Sequence, residues 1–235
     1  MKAIVVRTWR IFATAVTIAV LLGVLVEGWF FAHVLWWRSH NPATTSFMEH
    51  SLDALRAKNR KAKLQQIWVP YNRISVNLKR AVIAAEDAKF TAHEGFDWEG
   101  IQVAIEKNQR YGRSVAGGST ISQQLAKNLF LSGERSLVRK AQEAAITVML
   151  EMVMSKQRIL ELYLNVVEWG NGVYGIEAAA RHYYGVSASA LNEEQAARLA
   201  AMLPRPRYYD YYRDSSYLAD YADHILARMP DAQLP

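Results

Sequence analysis

Residues 11–32 limit what this chain can become more than any other stretch. From Ile11 to Val26 the sequence is apolar apart from Thr14 and Thr17, and after Glu27 and Gly28 it resumes with Trp29, Phe30, Phe31 and Ala32. A run of this length and character crosses a bilayer as one helix. Glu27 would cost about 2.5–3.5 kcal/mol at the bilayer centre, and it sits off-centre. Trp29, Trp36 and Trp37 suit an interfacial aromatic belt. Lys2, Arg7 and Arg10 precede the span and only Arg38 closely follows it. The positive-inside rule therefore places the N-terminus in the cytoplasm and the rest of the chain across the membrane. The rival reading is a cleaved signal peptide. The run is too long for a typical h-region and no small-x-small site follows, so an uncleaved anchor over residues 1–38 is expected.

The remainder of the 235 residues suits one sizeable domain. A net charge of +6 favours anionic partners such as lipid headgroups or phosphates. No zinc-finger, recognition-helix or RNA-binding signature supports nucleic acid. The chain has no cysteine, which excludes disulfides, thiolate metal sites and thiol catalysis. Residues 39–66, polar and rich in Lys and Arg, read as a tether or short helix. A domain over 67–235 follows, and its pattern is mainly α-helical, with few β-branched alternations. Leu78, Val82 and Ala85 share one side of a helix running to about Phe90. Residues 138–165 carry the longest helical pattern, with Ile146, Leu150 and Val153 on one side. Shorter helices are expected around 176–184 and 192–203, the second ended by Pro204 and Pro206.

Residues 117–130 are the most informative part of that domain. Gly117 and Gly118 form a loop whose backbone can approach a ligand closely. Thr120 and Gln123 have capping-box spacing, so a helix starts there. Thr120, Gln123, Gln124, Lys127 and Asn128 form a polar stripe, and Ile121, Leu125 and Leu129 an apolar one. A glycine loop, free helix N–H groups and a lysine on one face suit an anion such as a phosphate, although no Walker A pattern is present. The plain alternative is an ordinary amphipathic surface helix.

Three further clusters bear on chemistry. Glu86 follows an apolar helix, where desolvation disfavours its charged form and moves it toward general-base or general-acid duty; a solvated helix-end carboxylate is the alternative. Arg139 and Glu143 share a helix face beside Lys140, either as a functional group or as a surface ion pair worth about 0–1 kcal/mol. His93 has no metal-ligand spacing around it, so a structural hydrogen bond is expected. Ser119 and Ser122 lack triad partners.

In order along the chain, these pieces resemble one family. Ala84-Ala85-Glu86-Asp87-Ala88-Lys89-Phe90 with His93-x-Gly95-x-Asp97 is similar to the first signature of the peptidoglycan glycosyltransferases. Gly117 to Phe130 resembles the second, and Arg139-Lys140-x-x-Glu143 the third. Lys156-x-x-Ile159-Leu160-Glu161-x-Tyr163-Leu164-Asn165 resembles the fourth. Gly175-Ile176-x-Ala178-Ala179-Ala180-x-x-Tyr183-Tyr184-Gly185 resembles the fifth, with Tyr184 where Phe is common. The tail after Arg205 matches loosely. No penicillin-binding transpeptidase pattern is present, so the resemblance is to monofunctional members.

The resemblance implies a mainly α, lysozyme-like helical domain with a smaller membrane-facing lobe, placed around residues 100–116 with Arg110, Tyr111 and Arg113 toward headgroups. It also implies polymerisation of lipid II into β-1,4-linked glycan on the periplasmic side of the bacterial inner membrane, with release of undecaprenyl diphosphate. Glu86 matches the family's general base. Lys127 and Arg139, with Lys140 beside them, match its diphosphate-side cations. Thr120, Gln123, Gln124 and Asn128 match substrate-binding positions, and Asp87, Phe90 and His93 shape the site. Glu143 matches the second catalytic acid; its open roles are to orient those cations, to hold a divalent ion (magnesium or manganese) or to assist departure. Implied partners are lipid II, the growing glycan chain and membrane lipid, with other cell-wall synthesis or division proteins as a further class. Two other readings stand beside it: a lytic, lysozyme-like enzyme, which would have no diphosphate to stabilise, and a non-catalytic scaffold of cell-wall assembly.

Overall fold

The computed structural model describes residues 2–112, 117–134 and 136–235, with side chains from Arg7 onward. The chain divides into two compact units, one up to His40 and one over Asn41–Pro235. The first is α1, Lys2–Trp37. Its apolar stretch extends over Arg7–Trp37, long enough to cross a membrane, and the most apolar part of it is not buried against protein. Thr14 and Thr17, the two polar residues between Ile11 and Val26, donate their hydroxyls to the carbonyls of Arg10 and Ala13, so neither is left unsatisfied in an apolar medium.

The second unit begins earlier than the sequence suggests. The tether or short helix expected over 39–66 contains the helix α2, Ser46–Lys58, and also β1, Gln65–Gln66. Thr45 caps α2 by accepting the Met48 N–H, and Thr45, Met48 and Ser51 are all buried. A polar helix of this composition looks solvated in sequence, yet its few apolar side chains pack on a later helix. The boundary therefore moves from residue 66 to about residue 40.

After β1 come α3 (Val76–Glu86), α4 (Trp98–Tyr111), α5 (Ile121–Phe130), α6 (Leu137–Val153) and α7 (Lys156–Val166). The short strands β2 (Glu168–Gly170) and β3 (Val173–Tyr174) follow, and then α8 (Ile176–Tyr184), α9 (Glu193–Met202), α10 (Pro206–Tyr211) and α11 (Ser216–Arg228). The small sheet has the order β1-β3-β2, parallel between β1 and β3 and antiparallel between β2 and β3.

α3 stops at Glu86 rather than near Phe90, because Asp87 leaves helical geometry to serve the start of another helix. The long pattern over 138–165 is two helices. Met154 is extended, and Ser155 restarts the chain as a cap that accepts the Arg158 N–H. Beyond Pro204 the loosely matching tail folds into α10 and α11. The latter lays Leu218, Ala222 and Ile225 on α9 and α3. α5 packs between α2, α6 and α7 with Ile121, Leu125 and Leu129 fully covered. Each such side chain contributes about 1.5–3 kcal/mol on burial, which outweighs any surface ion pair on these helices.

Two glycines are dictated by geometry. Gly175, before α8, has φ +76° and ψ 148°, a conformation other residues rarely adopt. A Cβ there would also lie 2.7 Å from the Asn165 carbonyl oxygen. Asn165 is itself fully buried and ties α7 to Val69 by accepting its N–H and donating to its carbonyl. Gly175→Ala is expected to destabilise the protein by about 3 kcal/mol or more, read as a lowered urea midpoint in detergent. An unchanged midpoint would mean that the turn relaxes freely. At Gly118 a Cβ would lie 3.3 Å from Ile101 Cα, so this glycine lets the loop approach α4 closely, whereas a Cβ at Gly117 would meet nothing within 4 Å.

α4 buries only Ala104 and exposes Trp98, Val103, Ile105 and Tyr111, and Arg110 is also exposed. The membrane-facing lobe expected around residues 100–116 falls on this helix, and Arg113 lies outside the described residues.

Candidate active site

Glu86 ends α3 and lines a cleft of about 170 Å³ together with Asp97, Gly117, Gly118, Thr120 and Arg228. It is densely surrounded by protein while its carboxylate keeps an opening through the cleft. Burial pushes its carboxyl above the usual carboxylate range. A hydrogen bond from Gln124 and the charge of Lys127 pull it partly back, and Asp87 adds a small upward push. Gln124 Nε2 donates to Glu86 Oε2 at 2.6 Å, and Tyr163 donates its hydroxyl to Gln124 Oε1 at 3.0 Å. Tyr163 is fully buried and its phenol is held well above its usual range, so it remains a donor. That donor sets the Gln124 amide the right way round to aim its NH₂ at Glu86.

Asp87 faces the other way. Its Oδ2 accepts the Ile121 N–H at 3.0 Å and its Oδ1 pairs with His93 Nε2 at 2.9 Å. His93 Nδ1 accepts the Gly95 N–H, so the proton sits on Nε2 and the ring donates to Asp87. Thr120 donates to the Gly95 carbonyl, accepts the Gln123 N–H, and has its own N–H bound by Gln123 Oε1. The capping box is therefore present as the spacing indicates. The free helix N–H groups expected at this end are a different matter. The chain's own carboxylate and cap take the Thr120, Ile121 and Gln123 N–H groups, so much of the anion cradle at the start of α5 is used from within. Gln123 is buried in the cap, and Thr120 lines the cleft with its hydroxyl already engaged.

The cations gather toward the other end of α5. Lys127 is half-buried, with its ammonium 5.5 Å from the centre of the Phe47 ring. Burial lowers its basicity. Glu143 acts against that, Arg139 and Lys140 add to it, and Glu86 opposes it more weakly. Lys127 thus feels the charges of both Glu86 and the α6 cluster. In that cluster Arg139 Nη1 lies 2.8 Å from Glu143 Oε2, and Lys140 binds Glu143 Oε1. Glu143 is buried, so the surface ion pair the spacing allows is instead an internal one. Arg139 Nε is buried without a hydrogen-bond partner among the described residues. Three cations (Lys127, Arg139, Lys140) face one carboxylate (Glu143). Asn128 is buried beside them on α5, and Phe90 is buried under the Lys156 ammonium, 4.7 Å from its ring centre.

The model of the transglycosylase domain matches residues 53–230, most of the chain. The chain belongs to the transglycosylase family. Its similarity to curated members extends through the N-terminal helix. It is 61% identical over 226 residues to the biosynthetic peptidoglycan transglycosylase of Methylobacillus flagellatus, covering 96% of this chain and 99% of that protein. The biosynthetic peptidoglycan transglycosylase of Janthinobacterium sp. is 60% identical over 220 residues, 94% of this chain and 95% of that protein. That of Dechloromonas aromatica is 63% identical over 207 residues, 88% of this chain and 90% of that protein. The transglycosylase match begins inside α2, in keeping with the packing of α2 on α5.

Sequence reading overlooked two residues at this candidate site. Tyr163 lies within a recognised motif, but nothing local says that its hydroxyl reaches Gln124. Arg228 ends the loosely matching tail and reaches the Glu86 cleft only because α11 packs on α3.

Proposed function

We infer that this chain is a peptidoglycan glycosyltransferase that polymerises lipid II on the periplasmic face of the inner membrane, held there by α1. One observation carries the reading: Glu86, a carboxylate made basic by burial, is charge-coupled through Lys127 to an arginine–lysine group with an excess of positive charge.

In the reaction the 4-hydroxyl of an acceptor lipid II is too weak a nucleophile near neutral pH. Glu86 takes its proton as the oxygen forms a bond to the anomeric carbon of the growing chain. The bond from that carbon to the diphosphate oxygen breaks on the opposite face. Undecaprenyl diphosphate leaves with the electron pair, and inversion yields a β-1,4 link. The leaving group needs neutralisation more than protonation, and Lys127, Arg139 and Lys140 supply it; the free Arg139 Nε–H adds a donor for a phosphate oxygen. Glu143 holds Arg139 and Lys140 in place. Both of its oxygens are taken by these cations, which supports the orienting role among those open to it. Gln124 positions Glu86, and Asp87 and His93 brace the turn that presents it. Asn128 and the cleft-facing Thr120 contribute to substrate contact. A lytic enzyme would have no use for three cations beside its acid.

The Gln124 hydrogen bond lowers the Glu86 proton affinity, so removing it raises that affinity. Activity needs the deprotonated base. The acid limb of kcat/KM for lipid II polymerisation by the full chain in vesicles should lie above the ordinary glutamate value of 4.5. In Gln124→Leu it should move to higher pH. An unmoved limb would remove Gln124 from this role, and absence of polymer from the parent chain would overturn the reading.

A further inference from the structure

We propose that one face of α11 is a track for the growing glycan strand, leading away from the Glu86 cleft; the proposal rests on the glycosyltransferase reading. Tyr217, Tyr221, His224 and Arg228 follow each other at i, i+4, i+7 and i+11, which places them on one side of the helix. The neighbouring stripe of Leu218, Ala222 and Ile225 is buried in the body, which turns the first stripe outward. Tyr217 is 66% exposed, and His224 and Arg228 are exposed as well.

The two ends of this face meet two cavities. Arg228 lines the cleft that holds Glu86. Tyr217 and Tyr221 line a larger cavity of about 340 Å³, closed by Arg205, Tyr208, Tyr209 and Ser215. The cavities are neighbours, since Tyr221 and Arg228, which line one each, lie two turns or about 10 Å apart on α11. Tyr217 and Tyr221 stack with ring centres 6.3 Å apart, and the Arg205 guanidinium lies 5.5 Å from the centre of the Tyr208 ring.

This chemistry suits sugar. A pyranose ring has a C–H face and a rim of hydroxyls, and tyrosine offers a flat apolar face with a hydroxyl at its edge. A hydrocarbon tail would find the phenols, Ser215 and Arg205 poor company. A diphosphate would need the cation density found instead around Lys127. From Tyr217 to Arg228 the helix spans about 16 Å, a length of several sugar rings. The acceptor carries its own diphosphate close behind its two sugars, whereas the growing strand extends ring by ring from the reacting carbon. The strand is therefore the occupant.

Tyr208 and Tyr217 are the more exposed rings, so replacing both by Ala leaves the core intact. Full-length Tyr208→Ala/Tyr217→Ala in vesicles, given lipid II, should make glycan strands shorter by about threefold or more, the effect of losing two aromatic contacts from a strand retained between additions. The Phe/Phe counterpart, which keeps the rings, should restore most of the length. Strands of parental length from the Ala variant would overturn the proposal. So would failure at the joining of the first two lipid II molecules, which would put the rings on the acceptor side. No polymer from the parent chain would instead overturn the glycosyltransferase reading itself.

Discussion

Glu86→Gln is expected to abolish polymerisation of lipid II, with a loss of about 10²–10⁴-fold or more from removing the base alone. The amide is isosteric and can still meet Gln124, but it accepts no proton. Stability should respond in the opposite sense. Burial raises the Glu86 proton affinity, so the folded state holds the proton more tightly than the unfolded chain does. Ionisation above the ordinary carboxylate range therefore weakens folding, and a neutral amide avoids this. The Gln variant should melt at or above the parental temperature at neutral pH, with the difference vanishing below about pH 4, where the carboxyl is protonated in both states. An inactive variant that is also markedly less stable would point to a structural role. Full activity would refute the assignment.

Lys127→Met should lower the rate by about 10²–10³-fold, the usual effect of deleting one group that stabilises developing charge. The loss belongs mainly in kcat, because the leaving oxygen becomes more negative as its bond to carbon breaks. The fold should tolerate the change, since burial already lowers the basicity of this lysine and its ammonium is partly desolvated at a cost. A second effect follows from its charge on Glu86. Lys127 pulls the Glu86 carboxyl down, so in its absence the acid limb should move to higher pH. Initial rates on purified lipid II across pH measure both. A rate within about tenfold of the parent would place the diphosphate on Arg139 and Lys140 without Lys127.

Features that depend on a few consecutive residues were legible in advance. The Thr120–Gln123 capping box, the apolar run of α1 and the apolar helix leading to Glu86 all follow from local hydrogen bonding or periodicity. The misreadings share a cause as well. The α5 N–H groups looked free because Asp87, which takes the Ile121 N–H, is 34 residues away. Residues 39–66 read as a tether or short helix outside the domain because the surface that covers α2 belongs to α5. The 138–165 pattern looked continuous because the break at Met154 and Ser155 keeps the apolar period in register on both sides.

By itself the sequence determined the N-terminal helix long and apolar enough to span a membrane, the helical class of the domain and the residue types of the candidate site, because length, period and spacing are properties of the chain alone. Only the tertiary structure decided what surrounds each of those residues. Glu86 gains proton affinity through burial, tempered by a hydrogen bond from a partner 38 residues distant, Glu143 is internal because α5 and α6 pack together, and the tail reaches the cleft because α11 packs on α3. Desolvation and charge coupling are set by neighbours in space, and those exist only once the chain has folded.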